Sequence, residues 1–169
     1  MYIKIISDII SHSIRVLINV RKLGKKYNIT NRELGILMQA AALHDIGKIL
    51  IPKKILFKKE KLTLEDKKII SKHSELSYEI LKWALPNEVL FLIKNHHNDI
   101  EIGKNKLLTI LYIADVYDAL ISKRVYKKAM KKEEAIKIIL QGLKNKNINL
   151  AQFINKKTAW YGGVEYGDR

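Results

Sequence analysis

Thr30-Asn-Arg-Glu33-Leu34-Gly-Ile-Leu37-Met38-Gln-Ala-Ala41-Ala42-Leu-His44-Asp45-Ile-Gly47 is the stretch whose reading decides the fold. Thr30 followed by Glu33 three residues later is a capping box, in which each residue's side chain binds the other's backbone N–H. Leu34, Leu37, Met38, Ala41 and Ala42 then recur at helical spacing as far as His44-Asp45. Gly47 is expected to end that helix or loosen its last turn. The apolar stripe therefore runs straight into an imidazole and a carboxylate.

The same period extends on both sides. Before Thr30, Ile3, Ile6, Ile10, Leu17, Val20 and Leu23 recur at helical intervals, and Asn28-Ile-Thr30 breaks the pattern. After Gly47, a lysine-rich loop containing Pro52 is expected to reach Thr63, where Thr63-Leu-Glu-Asp66 resembles another helix start. Helical segments are expected at about 64–72, 74–83 and 86–97, the last opening at Pro86, where proline is well tolerated. A polar loop at 98–105 precedes Lys106 to Ser122, nearly all apolar except Asp115, Asp118 and a few hydroxyls. A last helix is expected over 132–145, and the tail from Trp160 has no helical period. No alternating strand series and no internal repeat occur. The expected architecture is an all-α single-domain helical bundle over residues 1–145, with 146–169 as a C-terminal extension.

Bulk properties narrow the function. A chain of 169 residues with 47% apolar and 29% charged residues can bury an ordinary globular core. The absence of cysteine removes disulfides, thiolate metal sites and cysteine nucleophiles. No stretch approaches the roughly 18 to 20 apolar residues that cross a bilayer, and the first residues lack a signal-peptide pattern, so no membrane association and a cytoplasmic location are expected. The net charge is +15, but 27 of the 32 basic residues are lysine. A nucleic-acid footprint would be clustered and richer in arginine and exposed aromatics, so nucleic acid is not the expected partner. A small anionic ligand is, because summed positive charge raises its local concentration.

All five histidines fall in one ordered set with acidic residues: His12, His44-Asp45, His73, His96-His97, then Asp115. Imidazoles and carboxylates suit iron, manganese and zinc. A lone histidine on a helix is usually a satisfied or exposed side chain; the joint set is hard to obtain by chance. Asp115 lies in Leu-Tyr-Ile-Ala-Asp115-Val-Tyr-Asp118-Ala-Leu, where an unpaired carboxylate would cost several kcal/mol to ionise and so calls for a cation or strong donors. Asp118 reads as a hydrogen-bond partner instead of a ligand. Neighbours on a helix stand about 100° apart, so His44 and Asp45 can share a centre only at the edge of a face.

His44-Asp-Ile-Gly-Lys48-Ile, Lys61-Leu-Thr63, Lys72-His73-Ser-Glu-Leu-Ser-Tyr-Glu-Ile-Leu81, His96-His97, Ala114-Asp-Val-Tyr-Asp-Ala-Leu120 and Arg124-Val-Tyr-Lys-Lys-Ala-Met130 resemble the HD-GYP branch of the HD-domain metal-dependent phosphohydrolases. The likeness covers residues 8 to 145, with the motifs in family order. It implies an α-helical bundle, a centre of two or three divalent metals (often iron or manganese) and hydrolysis of the messenger cyclic di-GMP. It makes His12, His44, Asp45, His73, His96, His97 and Asp115 the ligands, with Asp45 bridging. Some members hold a third metal through an acidic residue one turn before the first histidine, a place taken here by Asp8. Lys48 matches the lysine that approaches the bridging hydroxide and the scissile phosphate, and Arg124 and Lys127 match positions that contact substrate phosphates. One departure is large. The family's Gly-Tyr-Pro loop is absent, Asn98 stands where the family has Glu, and Asp115 follows His97 by only 18 positions.

The leading expectation is thus a metal-dependent phosphodiesterase acting on a cyclic dinucleotide. A hydrolase for another nucleotide or phosphate ester is the second reading. A non-catalytic module that binds a nucleotide or a partner is the third.

Overall fold

In the computed structural model the described residues are 2–58, 60–122 and 129–149. They form helices only: α1 Tyr2–Lys26, α2 Asn31–Leu43, a 3-10 segment Ile46–Leu50, α3 Lys53–Leu56, α4 Leu64–Ser71, α5 His73–Leu81, α6 Asn87–Asn95, α7 Lys106–Ile121 and α8 Lys132–Asn145. The expected all-α bundle is borne out. The helix boundaries follow local chemistry. Thr30 and Thr63 both form complete capping boxes, with Glu33 and Asp66. Asn28 takes a left-handed φ of 50°, and Ile29 N–H donates to Gly24 O, closing α1 with a Schellman turn. Asn147 repeats that ending after α8, with φ 55° and Ile148 N–H on Leu143 O.

α7 is the axis of the bundle. It packs against α1, α2, α6 and α8, and being apolar nearly all round it is buried at Leu108, Ile110, Leu111, Ile113 and Ala114. Val16 and Val20 of α1, Leu37 and Ala41 of α2, and Val89, Leu92 and Ile93 of α6 complete the core around it. Ile139 and Leu143 of α8 join the same cluster, and so does Ile148, so the packed body runs past residue 145.

Three sequence expectations need correction. The stretch from Gly47 to Thr63 is not simply loop, because the 3-10 segment and the four-residue α3 lie in it, α3 restarting at Pro52. On α1 the residues that carry the helical period do not all face inward. Val20 is buried, but Ile3, Ile6 and Ile10 are exposed, and the buried face runs through Ile5, Ile9, His12 and Val16. Isoleucine occupies two faces of this helix, so periodicity alone does not choose between them. Gly47 ends no helix: α2 stops at Leu43, and Gly47 sits within the 3-10 segment. What it supplies is space. A Cβ there would stand 2.3 Å from His73 O and 2.5 Å from Ser77 N, so only glycine lets this segment lie against α5.

Candidate metal centre

Four of the five histidines sit where helices begin or end, and that placement fixes their chemistry. The last turn of a helix leaves carbonyls without N–H partners. His44 Nδ1 takes Ala41 O at 3.0 Å, His73 Nδ1 takes Ile70 O at 2.7 Å and His96 Nδ1 takes Ile93 O at 2.7 Å. Each is an i to i−3 contact onto a terminal turn of α2, α4 or α6. A carbonyl only accepts, so each Nδ1 carries the proton and each Nε2 presents a lone pair to the interior. His12 lies inside α1, where no carbonyl is spare. Its Nδ1 instead meets Asp118 Oδ2 at 2.7 Å, and Asp118 is held by Arg15 Nε at 2.7 Å and Nη2 at 3.1 Å.

The backbone also brings the adjacent His44 and Asp45 to one centre. Asp45 leaves helical geometry at φ −100°, ψ 0°, the sparsely populated bridge region common in active sites, so the pair is not bound to the 100° step. His96 and His97 likewise follow the end of α6.

The inward atoms crowd together. His12 Nε2 lies 3.0 Å from Asp115 Oδ1 and 3.4 Å from Asp45 Oδ2; His44 Nε2 lies 3.6 Å and 3.9 Å from Asp45 Oδ2 and Asp115 Oδ1. On the other side His73 Nε2 is 3.1 Å from Asp45 Oδ1 and 3.1 Å from His96 Nε2, and His97 Nε2 stands 4.0 Å from Asp115 Oδ2. Two imidazole lone pairs 3.1 Å apart have no proton to share. His12 Nε2, His44 Nε2 and Asp45 Oδ1 are buried without a hydrogen-bond partner. Such atoms are costly unless something positive lies among them. Atoms that bind one ion at about 2 Å stand roughly 3 to 4 Å from one another, the spacing found here. Three overlapping groupings can hold a metal among the described residues: His12–His44–Asp115, His44–Asp45–His96 and His73–His96–His97. The two oxygens of Asp45 face different groupings.

The electrostatics suit cation binding. Burial lowers the pKa of His44, of His96 and of His97, the last to about 4, so all three are neutral ligands near pH 7. Burial opposes ionisation of Asp45, yet Lys48, His44 and His73 hold its carboxyl well below the usual range. Asp115 is also lowered, by His12 and His44 against its burial. His12 is the exception: burial would lower it, but Asp115, Asp118 and Asp45 raise it to about 9.

Beside the centre opens a cleft of about 500 Å³, within the size range of ligand pockets. His12, Asp45 and Lys48 line it, and Ile9, Ile55 and Phe57 supply apolar wall. Lys48 Nζ reaches Asp45 Oδ2 at 2.5 Å. Seven of the expected ligands thus converge: His12, His44, Asp45, His73, His96, His97 and Asp115. Asp8 does not join them. It is exposed on the cleft wall and belongs to none of the three groupings. Arg124 and Lys127 lie outside the described residues. Sequence reasoning passed over Arg15 and Ser77, whose hydroxyl donates to His44 O at 2.7 Å and accepts Gly47 N–H at 2.8 Å. Arg15 had a signal: it stands three residues after His12 as Asp118 stands three after Asp115, so the two pairs meet across α1 and α7.

A family model described as the HD domain matches residues 9–120. The chain belongs to the HD-domain family. The resemblance read from the motifs is borne out. Among the relatives of this HD domain is the cyclic di-GMP phosphodiesterase response regulator RpfG of Xanthomonas campestris, 31% identical over 67% of this chain and 33% of its own length. A probable cyclic di-GMP phosphodiesterase of Vibrio cholerae is 37% identical over 62% of this chain and 28% of its own. The 3′3′-cGAMP-specific phosphodiesterase 2 of that organism is 34% identical over 69% and 25%. The chain therefore spans about a quarter to a third of the length of these relatives. No helix among the described residues is long and apolar enough to cross a membrane.

Proposed function

We propose that this HD domain is a metal-dependent phosphodiesterase that opens a cyclic dinucleotide, with cyclic di-GMP as its first candidate substrate. One observation carries the reading: seven imidazole and carboxylate side chains turn their lone pairs onto a common volume beside a cleft that also holds Lys48. In this reading His12, His44, His73, His96, His97, Asp45 and Asp115 would hold two divalent ions, and Asp45, whose oxygens face different histidines, would serve both. The nitrogen and oxygen donor set favours iron or manganese over magnesium or calcium. Asp8 takes no part, and no third ion is included. When bound, such a pair lowers the pKa of a coordinated water and polarises the phosphoryl oxygens.

The protein's own groups do the rest. Asp118 keeps the proton of His12 on Nδ1, and the carbonyls of Ala41, Ile70 and Ile93 do the same for His44, His73 and His96. The ligand atoms are thus oriented before anything binds. Lys48, now on Asp45, is near enough to neutralise charge growing on a phosphoryl oxygen as the diester is attacked. On the motif resemblance alone, Arg124 and Lys127 would also contact substrate phosphates. The apolar wall formed by Ile9, Ile55 and Phe57 accepts a base face and excludes water.

The 3′3′-cGAMP-specific relatives support a second reading, in which the substrate is the mixed adenine–guanine cyclic dinucleotide. Both readings are tested by offering cyclic di-GMP and 3′3′-cGAMP to protein loaded with manganese or iron, with products separated by chromatography. Cleavage that vanishes in Asp45→Ala supports the proposal. A fully metal-loaded protein that leaves both intact removes it, and a wider panel of phosphate esters then separates another hydrolase from a binding module.

A further inference from the structure

Arg15 does more in this structure than neutralise Asp118. The chain uses lysine for 27 of its 32 basic residues, so arginine marks places where a planar fork is wanted. Arg15 uses Nε and Nη2 on the buried Asp118, which leaves the Nη1 pair and one Nη2 hydrogen. Its side chain is 45% exposed although its head is pinned, and the exposed part lines the cleft shared by His12, Asp45 and Lys48. A guanidinium fixed from behind and open in front has little rotamer freedom left to lose on binding an anion.

We infer that Arg15 is a substrate-contacting residue, donating its free N–H groups to a non-bridging phosphate oxygen of the nucleotide held at Lys48. The inference rests on the phosphodiesterase reading and names a further binding group in the same cleft. A purely structural Arg15 would also sit on Asp118, but its replacement would not change affinity for a phosphate once the metal content is matched.

The test is calorimetric binding of GMP to the manganese-loaded full chain, with manganese content measured on the same samples. Arg15→Lys keeps a charge beside Asp118 but not the fork; Arg15→Gln removes the charge. Both are expected to keep a cooperative melt; because Arg15 also holds Asp118, affinity is compared per manganese-loaded protein, and on that basis both are expected to bind GMP about ten- to a hundredfold more weakly, the loss of a charge-assisted hydrogen bond. Wild-type GMP affinity in both variants, or a loss no greater than their loss of manganese, overturns the inference and leaves the enzyme reading standing. A wild-type protein that holds manganese but binds no GMP overturns both.

Discussion

Asp118 shows how much one residue outside the ligand set contributes. It accepts from His12 Nδ1 at 2.7 Å and is gripped by Arg15, so it sets which nitrogen of His12 faces the centre. Asp118→Asn keeps the shape but weakens that hold, and partners of this kind typically matter ten- to a hundredfold in metal affinity. The expected result is a drop of about that size when manganese is titrated against a competing chelator, with helical content unchanged. Unaltered affinity would mean that His12 is oriented by packing alone. Tyr27 offers a contrast remote from chemistry. Its ring is buried in the core, its hydroxyl has no hydrogen-bond partner, and burial raises its pKa to about 12. The folded pKa lies above the unfolded value, so the contribution of Tyr27 to stability is complete below pH 10 and is lost as pH climbs through 12. Tyr27→Phe is expected to be at least as stable at pH 7, by up to about 1 kcal/mol, because it removes an unpaired buried hydroxyl. It should also flatten the alkaline fall in stability between pH 10 and 12. Denaturant titrations at pH 7, 10 and 11 check both, and equal alkaline slopes in the two proteins would contradict the assignment.

At the scale of elements, the centre depends on helix ends meeting at close range. The 3-10 segment after Asp45 lies on α5 through Gly47 and Ser77, so the backbone that carries His44 and Asp45 is fastened to the helix that begins with His73. Gly47→Ala places a methyl against His73 O and Ser77 N, both backbone atoms that cannot swing aside. The expected cost is about 1 to 3 kcal/mol of stability, together with weaker metal retention, read from melting and metal content of one preparation. Stable protein with wild-type metal would show that the segment can slide. On α1, Ile10→Gln on the exposed face should change stability by less than about 0.5 kcal/mol, whereas Val16→Ala on the buried face should cost about 1 to 3 kcal/mol. These elements also show what the sequence made legible. Capping boxes at Thr30 and Thr63 and the apolar run after Lys106 placed the helices within a residue or two, because those signals are local. The buried face of α1 was hidden, because isoleucine lines two sides and only the position of His12, which must reach Asp115, selects one. The role of Gly47 was hidden for the same reason: its neighbours come from α5, 26 to 30 residues away in the chain.

For the molecule as a whole, the centre is both the site and a weak point of the fold. Six elements contribute to it: α1, the ends of α2 and α6, the turn into the 3-10 segment, the start of α5, and α7. Each brings a side chain aimed inward, and together they set buried carboxylates and imidazole lone pairs within 3 to 4 Å of one another. The ordered ligand spacing made this convergence legible in the sequence, whereas the hydrogen bonds that orient each ring were not, since carbonyl partners carry no side-chain signature. His73 Nε2 and His96 Nε2 face each other at 3.1 Å and three polar atoms of the centre have no hydrogen-bond partner, so a transition-metal cation that enters stabilises the folded state. An ion that binds only the native protein stabilises it by about 2.7 kcal/mol at a hundred times its dissociation constant. In a domain of this length that corresponds to a rise in melting temperature of roughly 5 to 10 °C. Chelator-treated protein is therefore expected to melt lower by that amount and to recover with manganese or ferrous iron. Calcium should restore little, since it prefers all-oxygen shells. Asp45→Ala and His44→Ala should abolish the manganese-dependent rise, as His44 belongs to two of the groupings and Asp45 presents one oxygen to His12 and His44 and the other to His73. If stripped and loaded proteins, with metal content verified in each, melt at the same temperature, the inward lone pairs are not waiting for a cation and the metal-centred account of this fold fails.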